Sequence, residues 1–71
     1  MKDRLMVARD DGGRVFIGLA GVMLAGFVEE VGRDVVTIGL SEPDGMGGYT
    51  GEGRRVSVGV AHIMTVERES R

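Results

Sequence analysis

The longest uncharged run of the chain, residues 15–28, limits the possible folds. A helix that spans a bilayer needs about 20 residues, and this run (VFIGLAGVMLAGFV) is shorter. Three glycines interrupt it, and each costs about 1 kcal/mol in a helix interior. The run follows the acidic pair Asp10 and Asp11, and no small-residue cleavage site lies beyond it, so it does not fit a signal peptide. We therefore expect two β-strands that meet at a bend at residues 20–21, and no membrane segment.

Turn signals divide the rest of the chain into short pieces that favour strands. Three strands are predicted from apolar and β-branched residues at 15–19, 22–30 and 35–40. The last two are joined by a tight connection at 32–34. The stretch 55–67 is long enough for a fourth strand and, beyond a kink near Ala61 and His62, a fifth. Residues 5–9 fit either a strand or one short turn of helix, and the sequence does not decide between them.

Glycines inside these strands predict strong bending. Gly18, Gly26 and Gly59 lie within strands, where a missing side chain signals a bend or a close backbone approach. The predicted fold class is all-β, a small five-stranded antiparallel barrel in a single domain spanning residues 1–71. Both faces of the strands are apolar, and a barrel interior hides only one of them. A second copy of the chain is the simplest cover for the other face.

The chain has 71 residues, and at that size folding hides only about 60% of the surface of the unfolded chain. Small domains gain stability from disulfides, metals or partner subunits. There is no cysteine, and a single histidine, His62, argues against a zinc site. Self-association is the remaining route. The lack of cysteine also fits a reducing compartment, and we expect a cytoplasmic protein.

The net charge of −2 argues against a protein that coats nucleic acid unselectively. A local basic face is still compatible with this balance, and the arginines offer residues for one. Catalysis has little support: the acidic pairs 10–11 and 29–30 are sequence neighbours, which in a strand point to opposite faces and in a turn are solvated. We expect neither an enzyme nor a bound cofactor or metal ion.

Residues 41–55, SEPDGMGGYTGEGRR, are rich in glycine but match no phosphate-binding motif. The only lysine is Lys2, which excludes a P-loop, and a strand pattern rather than a helix follows the segment. It is predicted to be an extended hairpin loop. Tyr49, Arg54 and Arg55 form the only cluster of basic and aromatic residues, suited to a nucleic-acid strand or an acidic partner. Their alternative role is to keep an exposed hairpin soluble.

Two segments resemble a known family. Residues 21–38, GVMLAGFVEEVGRDVVTI, are similar to the central strand pair of Sm-like proteins, particularly the bacterial Hfq type. Residues 62–66, HIMTV, resemble the closing strand of that family, although the glycine spacing also suits other SH3-like barrels. The resemblance implies a strongly bent five-stranded barrel, often behind an N-terminal helix. It also implies rings, closed by pairing the fourth strand of one subunit with the fifth strand of the next.

Proteins of this family bind single-stranded RNA between two loops. The resemblance therefore implies that three residues of this chain contact RNA. Arg33 and Asp34 occupy the first loop, although the stacking residue usual there is absent. His62 lies one position late in the second loop. The alternatives are a solvated Arg33 and a His62 packed in the barrel wall. The sequence thus predicts a ring-forming module that binds single-stranded RNA, or else a self-assembling structural module without nucleic-acid binding.

Overall fold

A computed structural model of the chain describes residues 1–69. These residues form one α-helix, seven strands and one 3-10 helix. In chain order they are α1 (Lys2–Asp11), β1 (Arg14–Leu19), β2 (Val22–Val31), β3 (Val35–Leu40), β4 (Glu42–Pro43), β5 (Tyr49–Thr50), β6 (Arg55–Gly59), the 3-10 helix (Val60–His62) and β7 (Thr65–Arg68).

Five of the strands form one antiparallel sheet in the order β6-β3-β2-β1-β7. The long strand β2 pairs with β1 along its first half and with β3 along its second half, and the register with β3 shifts between Val28 and Glu30. The predicted five antiparallel strands are therefore confirmed, with bounds close to those expected. The sheet is not closed into a barrel, because β6 and β7 lie at its two edges and do not pair with each other.

The N-terminal segment is a helix of ten residues, which decides between the two conformations left open by the sequence. Leu5 and Ala8 lie one turn apart on the same side of α1, and both are buried against the sheet. The helix ends at Gly12, whose φ of 73° is left-handed and whose N–H donates to the carbonyl oxygen of Ala8 at 3.0 Å. The burial of Leu5 and Ala8 against the sheet thus stabilises a helix in a segment whose local sequence also fits a strand.

The core lies between α1 and one face of the sheet, here called the inner face. It consists of buried aliphatic side chains from the helix, from four strands and from the segment before β7: Leu5, Ala8, Val15, Ile17, Val28, Val36, Ile38, Ile63 and Val66. Alternate residues of β1 and β3 point into this core, as the pleat requires. Among residues 1–69, no helix is long and apolar enough to cross a membrane.

The opposite, outer face of the sheet is covered in part by residues 41–54, here called the arm. The arm contains the small hairpin β4–β5 and approaches β3 so closely that a Cβ atom on Gly39 would overlap the carbonyl oxygen of Gly51. Phe16 and Phe27 on the outer face are half-buried. Part of the apolar surface expected to need a second copy is therefore covered within the chain.

Candidate functional site

The two loops singled out by the family resemblance lie side by side. The turn at 32–34 holds Arg33 and Asp34, and the 3-10 helix holds His62. The N–H of Val60 donates to the carbonyl oxygen of Asp34 at 2.8 Å, and β3 and β6 pair immediately beside this bond. Arg33, Asp34 and His62 thus lie at one end of the sheet, here called the turn end.

His62 is exposed at the C-terminal end of the 3-10 helix. Its ring lies over Gly59, where an added Cβ atom would be 2.9 Å from the imidazole Cδ2. A side chain at position 59 would therefore force the imidazole ring of His62 to move away from β6. This exposure differs from the alternative of a histidine packed in the wall of the sheet, and it leaves the imidazole accessible to a ligand.

Cations at the turn end have no carboxylate partner within the described part of the chain. Lys2, from the start of α1, donates from Nζ to the carbonyl oxygen of Arg33 at 3.3 Å. Neither Lys2 nor Arg33 takes part in an ion pair with any residue from 1 to 69. The nearby Asp34 offsets part of this positive charge. Free donors and one exposed imidazole make the turn end chemically suited to an anion held next to a polar or planar group.

The other three candidate residues lie elsewhere, on the arm and at the start of β6. Arg55 pairs with Gly39, at the opposite end of β3 from the turn at 32–34. Its Nε is 2.7 Å from Glu29 Oε1, and Arg54 Nε is 3.3 Å from Glu42 Oε1. Both guanidinium groups therefore already have an anionic partner, which lowers their capacity to attract a phosphate.

Tyr49 is also engaged within the molecule. The guanidinium carbon of Arg14 lies 4.0 Å from the centre of the Tyr49 ring and 5.1 Å from that of Phe16. Arg14 also forms an ion pair with Glu69, with 3.3 Å between Arg14 Nη1 and Glu69 Oε2. One face of the tyrosine is thus occupied by a cation of its own chain. The sequence offers Arg14 only as one of several arginines for a basic face, and nothing local predicts that it holds the arm.

At the tip of the arm, backbone N–H groups converge as in an anion-binding loop, but the group they bind is a carboxylate of the same turn. The carboxylate of Asp44 accepts hydrogen bonds from the N–H groups of Met46 at 2.7 Å and Gly48 at 3.1 Å. Convergent amides of this kind bind phosphate in other proteins. Here an aspartate side chain from the same turn fills the position, so the glycine-rich segment is a closed turn.

A cleft of about 410 Å³ separates the first turns of α1 from β7. Its lining combines the apolar residues Val7 and Val66 with the charged residues Asp3, Arg4 and Arg68. Sequence reasoning misses this cleft because it depends on residues 2–11 forming a helix. Across the described residues, no three His, Cys, Asp or Glu side chains are grouped closely enough to hold a metal ion.

No family model, curated protein or solved structure matches the chain. The resemblance to Sm-like proteins consequently rests on the quoted residues alone.

Proposed function

We propose that this chain is a homo-oligomeric, Sm-like module that assembles into a ring through its sheet edges and binds single-stranded RNA at the turn end. In this proposal the bent sheet acts as the small barrel of that family. The fourth main strand is β6 and the fifth is β7.

The observation that carries the proposal is the pair of unpaired edges on one small sheet. β6 and β7 lie at opposite edges, so each exposes a row of backbone N–H and C=O groups. When β6 of one copy pairs with β7 of the next, the backbone groups of both edges are hydrogen-bonded. The resulting assembly still has one free β6 edge at one end and one free β7 edge at the other, so further copies can add. A contact of this head-to-tail kind forms either an open filament or a closed ring, and closure removes every edge.

RNA is proposed as the ligand because the turn end combines free cations with an exposed imidazole. Lys2 and Arg33 lack internal carboxylate partners within residues 1–69, whereas Arg54 and Arg55 have them. Repetition around a ring multiplies the number of such positive groups. Several weak phosphate contacts then act together on one strand, which suits a flexible single-stranded ligand.

A self-assembling structural module without nucleic-acid binding is the second candidate. The engagement of Tyr49 by Arg14 favours it, because the only tyrosine then has one face closed to a base. Base stacking on an aromatic side chain contributes about 1–3 kcal/mol per base, and the turn end has no aromatic residue at positions 32–34 to supply it.

Size-exclusion chromatography with light scattering tests the assembly. We expect a mass several times the 7.6 kDa of one chain, with a discrete value if the ring closes. A continuous range of masses that grows with concentration indicates filaments. A single-chain mass at all concentrations contradicts the proposal.

Fluorescence polarisation with a short labelled single-stranded RNA tests the ligand. Arg33→Ala and His62→Ala should each weaken binding. Arg54→Ala removes the same charge as Arg33→Ala at a residue that is already ion-paired, and it should have little effect. Binding should decrease as salt increases, because phosphate contacts release counterions. An assembled protein that binds no RNA even at low salt supports the structural candidate, and unchanged binding in both turn-end variants moves the site to the arm.

A further inference from the structure

The cleft between α1 and β7 has the dimensions of a small-molecule site. The helix packs mainly over β2, and this leaves a gap on its β7 side. Asp3 and Val7 are one turn apart, so they lie on the same side of α1, and both line the cleft together with Arg4. The cleft volume of about 410 Å³ falls in the range of about 300–1,000 Å³ that is usual for ligand pockets.

β7 contributes two residues of its inner face to the cleft. Val66 pairs with Ile17 and Arg68 pairs with Val15, and both of these partners are buried in the core. Directly paired residues share a face of the sheet, so Val66 and Arg68 lie on the inner face, towards the helix. Val66 is buried, whereas Val7 on α1 is 51% exposed. The cleft therefore has an apolar part that a ligand can cover.

Two charges of opposite sign in the cleft have no partner in the described part of the chain. Asp3 and Arg4 take part in no ion pair with any residue from 1 to 69. They do not pair with each other, because sequence neighbours on a helix point in different directions. Arg68 differs from Arg4, since it pairs with Asp11 at the end of α1. The cleft thus presents one free carboxylate and one free guanidinium group beside two valines.

We propose that this cleft binds a free aliphatic α-amino acid of about the size of leucine. The carboxylate of the ligand pairs with Arg4, its ammonium group pairs with Asp3, and its side chain packs on Val7 and Val66. A zwitterion matches both free charges. A simple carboxylate would instead face Asp3, and a simple amine would face Arg4, each with a charge of the same sign.

The site goes beyond the proposed function, because it includes none of the residues of the turn end. Neither self-assembly nor RNA binding is needed for an amino acid to enter the cleft. The ligand and the site are therefore testable on the chain whatever its oligomeric state.

A nuclear magnetic resonance titration of the isotope-labelled chain with L-leucine measures binding, and three analogues each remove one part of the ligand. Isocaproate lacks the ammonium group, leucinamide at mildly acidic pH lacks the carboxylate, and glycine lacks the side chain. Loss of one charge contact should weaken binding about fivefold. Loss of the side chain should weaken it about tenfold or more, because apolar burial is lost.

Matched variants on α1 test where leucine binds. Asp3→Asn and Arg4→Gln each remove a charge with little change in size, and each should weaken leucine binding about fivefold. Asp10→Asn and Arg9→Gln make the same changes on the same helix, at two residues that pair with each other and do not line the cleft. These two controls should bind leucine like the unmodified protein. Circular dichroism checks that all four variants keep the helix.

The outcomes are distinct for the ligand, the site and the proposed function. Saturable shifts of the amide signals of residues 3–7 and 66–68 support the site. No saturable binding at millimolar leucine overturns it, and so does equal affinity for leucine and isocaproate or leucinamide. Asp3→Asn and Arg4→Gln variants that bind leucine as tightly as the two controls overturn the placement in the cleft. A chain that is monomeric or binds no RNA contradicts the proposed function alone and leaves the leucine titration decisive.

Discussion

Replacing Gly39 with alanine tests how the arm is held on the sheet. Gly39 lies on the outer face of β3, and a Cβ atom there would overlap the carbonyl oxygen of Gly51 and the carboxylate of Glu29. Glu29 is a flexible side chain and can rotate away. The Gly51 oxygen belongs to the backbone, and a Cβ atom on Gly51 would itself lie 2.8 Å from Phe27 Cδ2. Alanine at position 39 must therefore displace the arm or bend the strand.

The expected loss of unfolding free energy is about 2 kcal/mol by either route. Forcing an extra methyl group into a packed site costs about 1–3 kcal/mol. If the arm lifts instead, the protein loses the Arg14–Tyr49 contact, which is worth about 0.5–1 kcal/mol at an exposed site. Renewed exposure of Phe27 adds to this sum. A chain of this length has a total stability of about 4–11 kcal/mol, so the loss is readily measurable.

Urea unfolding followed by tyrosine fluorescence measures the effect, because Tyr49 is the only tyrosine and the chain has no tryptophan. Its emission therefore reports the arm alone. Gly13→Ala is the control: it has the same effect on the unfolded chain, but its nearest atom is the movable Asp11 Oδ2 at 3.2 Å. A Gly39→Ala variant that unfolds at the same urea concentration as Gly13→Ala, with unchanged native fluorescence, would refute the close approach of arm and strand.

Three further substitutions have clear expectations. Leu5→Ala should lower the unfolding free energy by about 2–5 kcal/mol, because Leu5 is 0% exposed, whereas Met6→Ala on the exposed side of α1 should change it by less than about 0.5 kcal/mol, as thermal melting would show. Gly12→Ala should cost about 1 kcal/mol in the same measurement, since the left-handed φ of 73° disfavours a side chain. Tyr49→Leu should lower the unfolding free energy by about 1 kcal/mol, whereas Tyr49→Phe, which keeps an aromatic ring, should leave it nearly unchanged. A double-mutant cycle with Arg14→Gln checks that the loss in Tyr49→Leu comes from the cation–π contact.

Local signals in the sequence predict the strands and their connections well. The glycines and charged residues at 20–21 and 32–34 mark both turns, and the apolar alternation in 35–40 matches β3. The conformation of residues 5–9 was not predictable, because Leu5 and Ala8 are buried while Met6 and Val7 are exposed, and only packing against the sheet makes that distinction. Local sequence does not encode such long-range contacts.

The same limit applies to the candidate residues. The sequence predicts an extended hairpin loop at residues 41–55, and the small β4–β5 pair agrees with this. Its position over the outer face was not predicted, because the contact between Arg14 and Tyr49 joins distant parts of the chain. Placing Arg33 beside His62 was possible only through the family resemblance, since nothing in their spacing brings the two loops together.

The position of the arm changes the physical argument for self-association. The sequence suggests that an entire second face of apolar side chains needs a partner, but Phe16 and Phe27 on that face are already half-buried, and Phe27 lies close to Gly51 of the arm. Large exposed apolar side chains of the sheet region are instead Val22 and Met23 at the start of the central strand β2, Val35 at the start of β3 and Met64 directly before the edge strand β7. An edge contact needs far less apolar area than a face contact, because backbone hydrogen bonds supply its orientation. The proposed self-association should therefore be sensitive to single substitutions at the edge strands β6 and β7 and insensitive to substitutions at the arm tip.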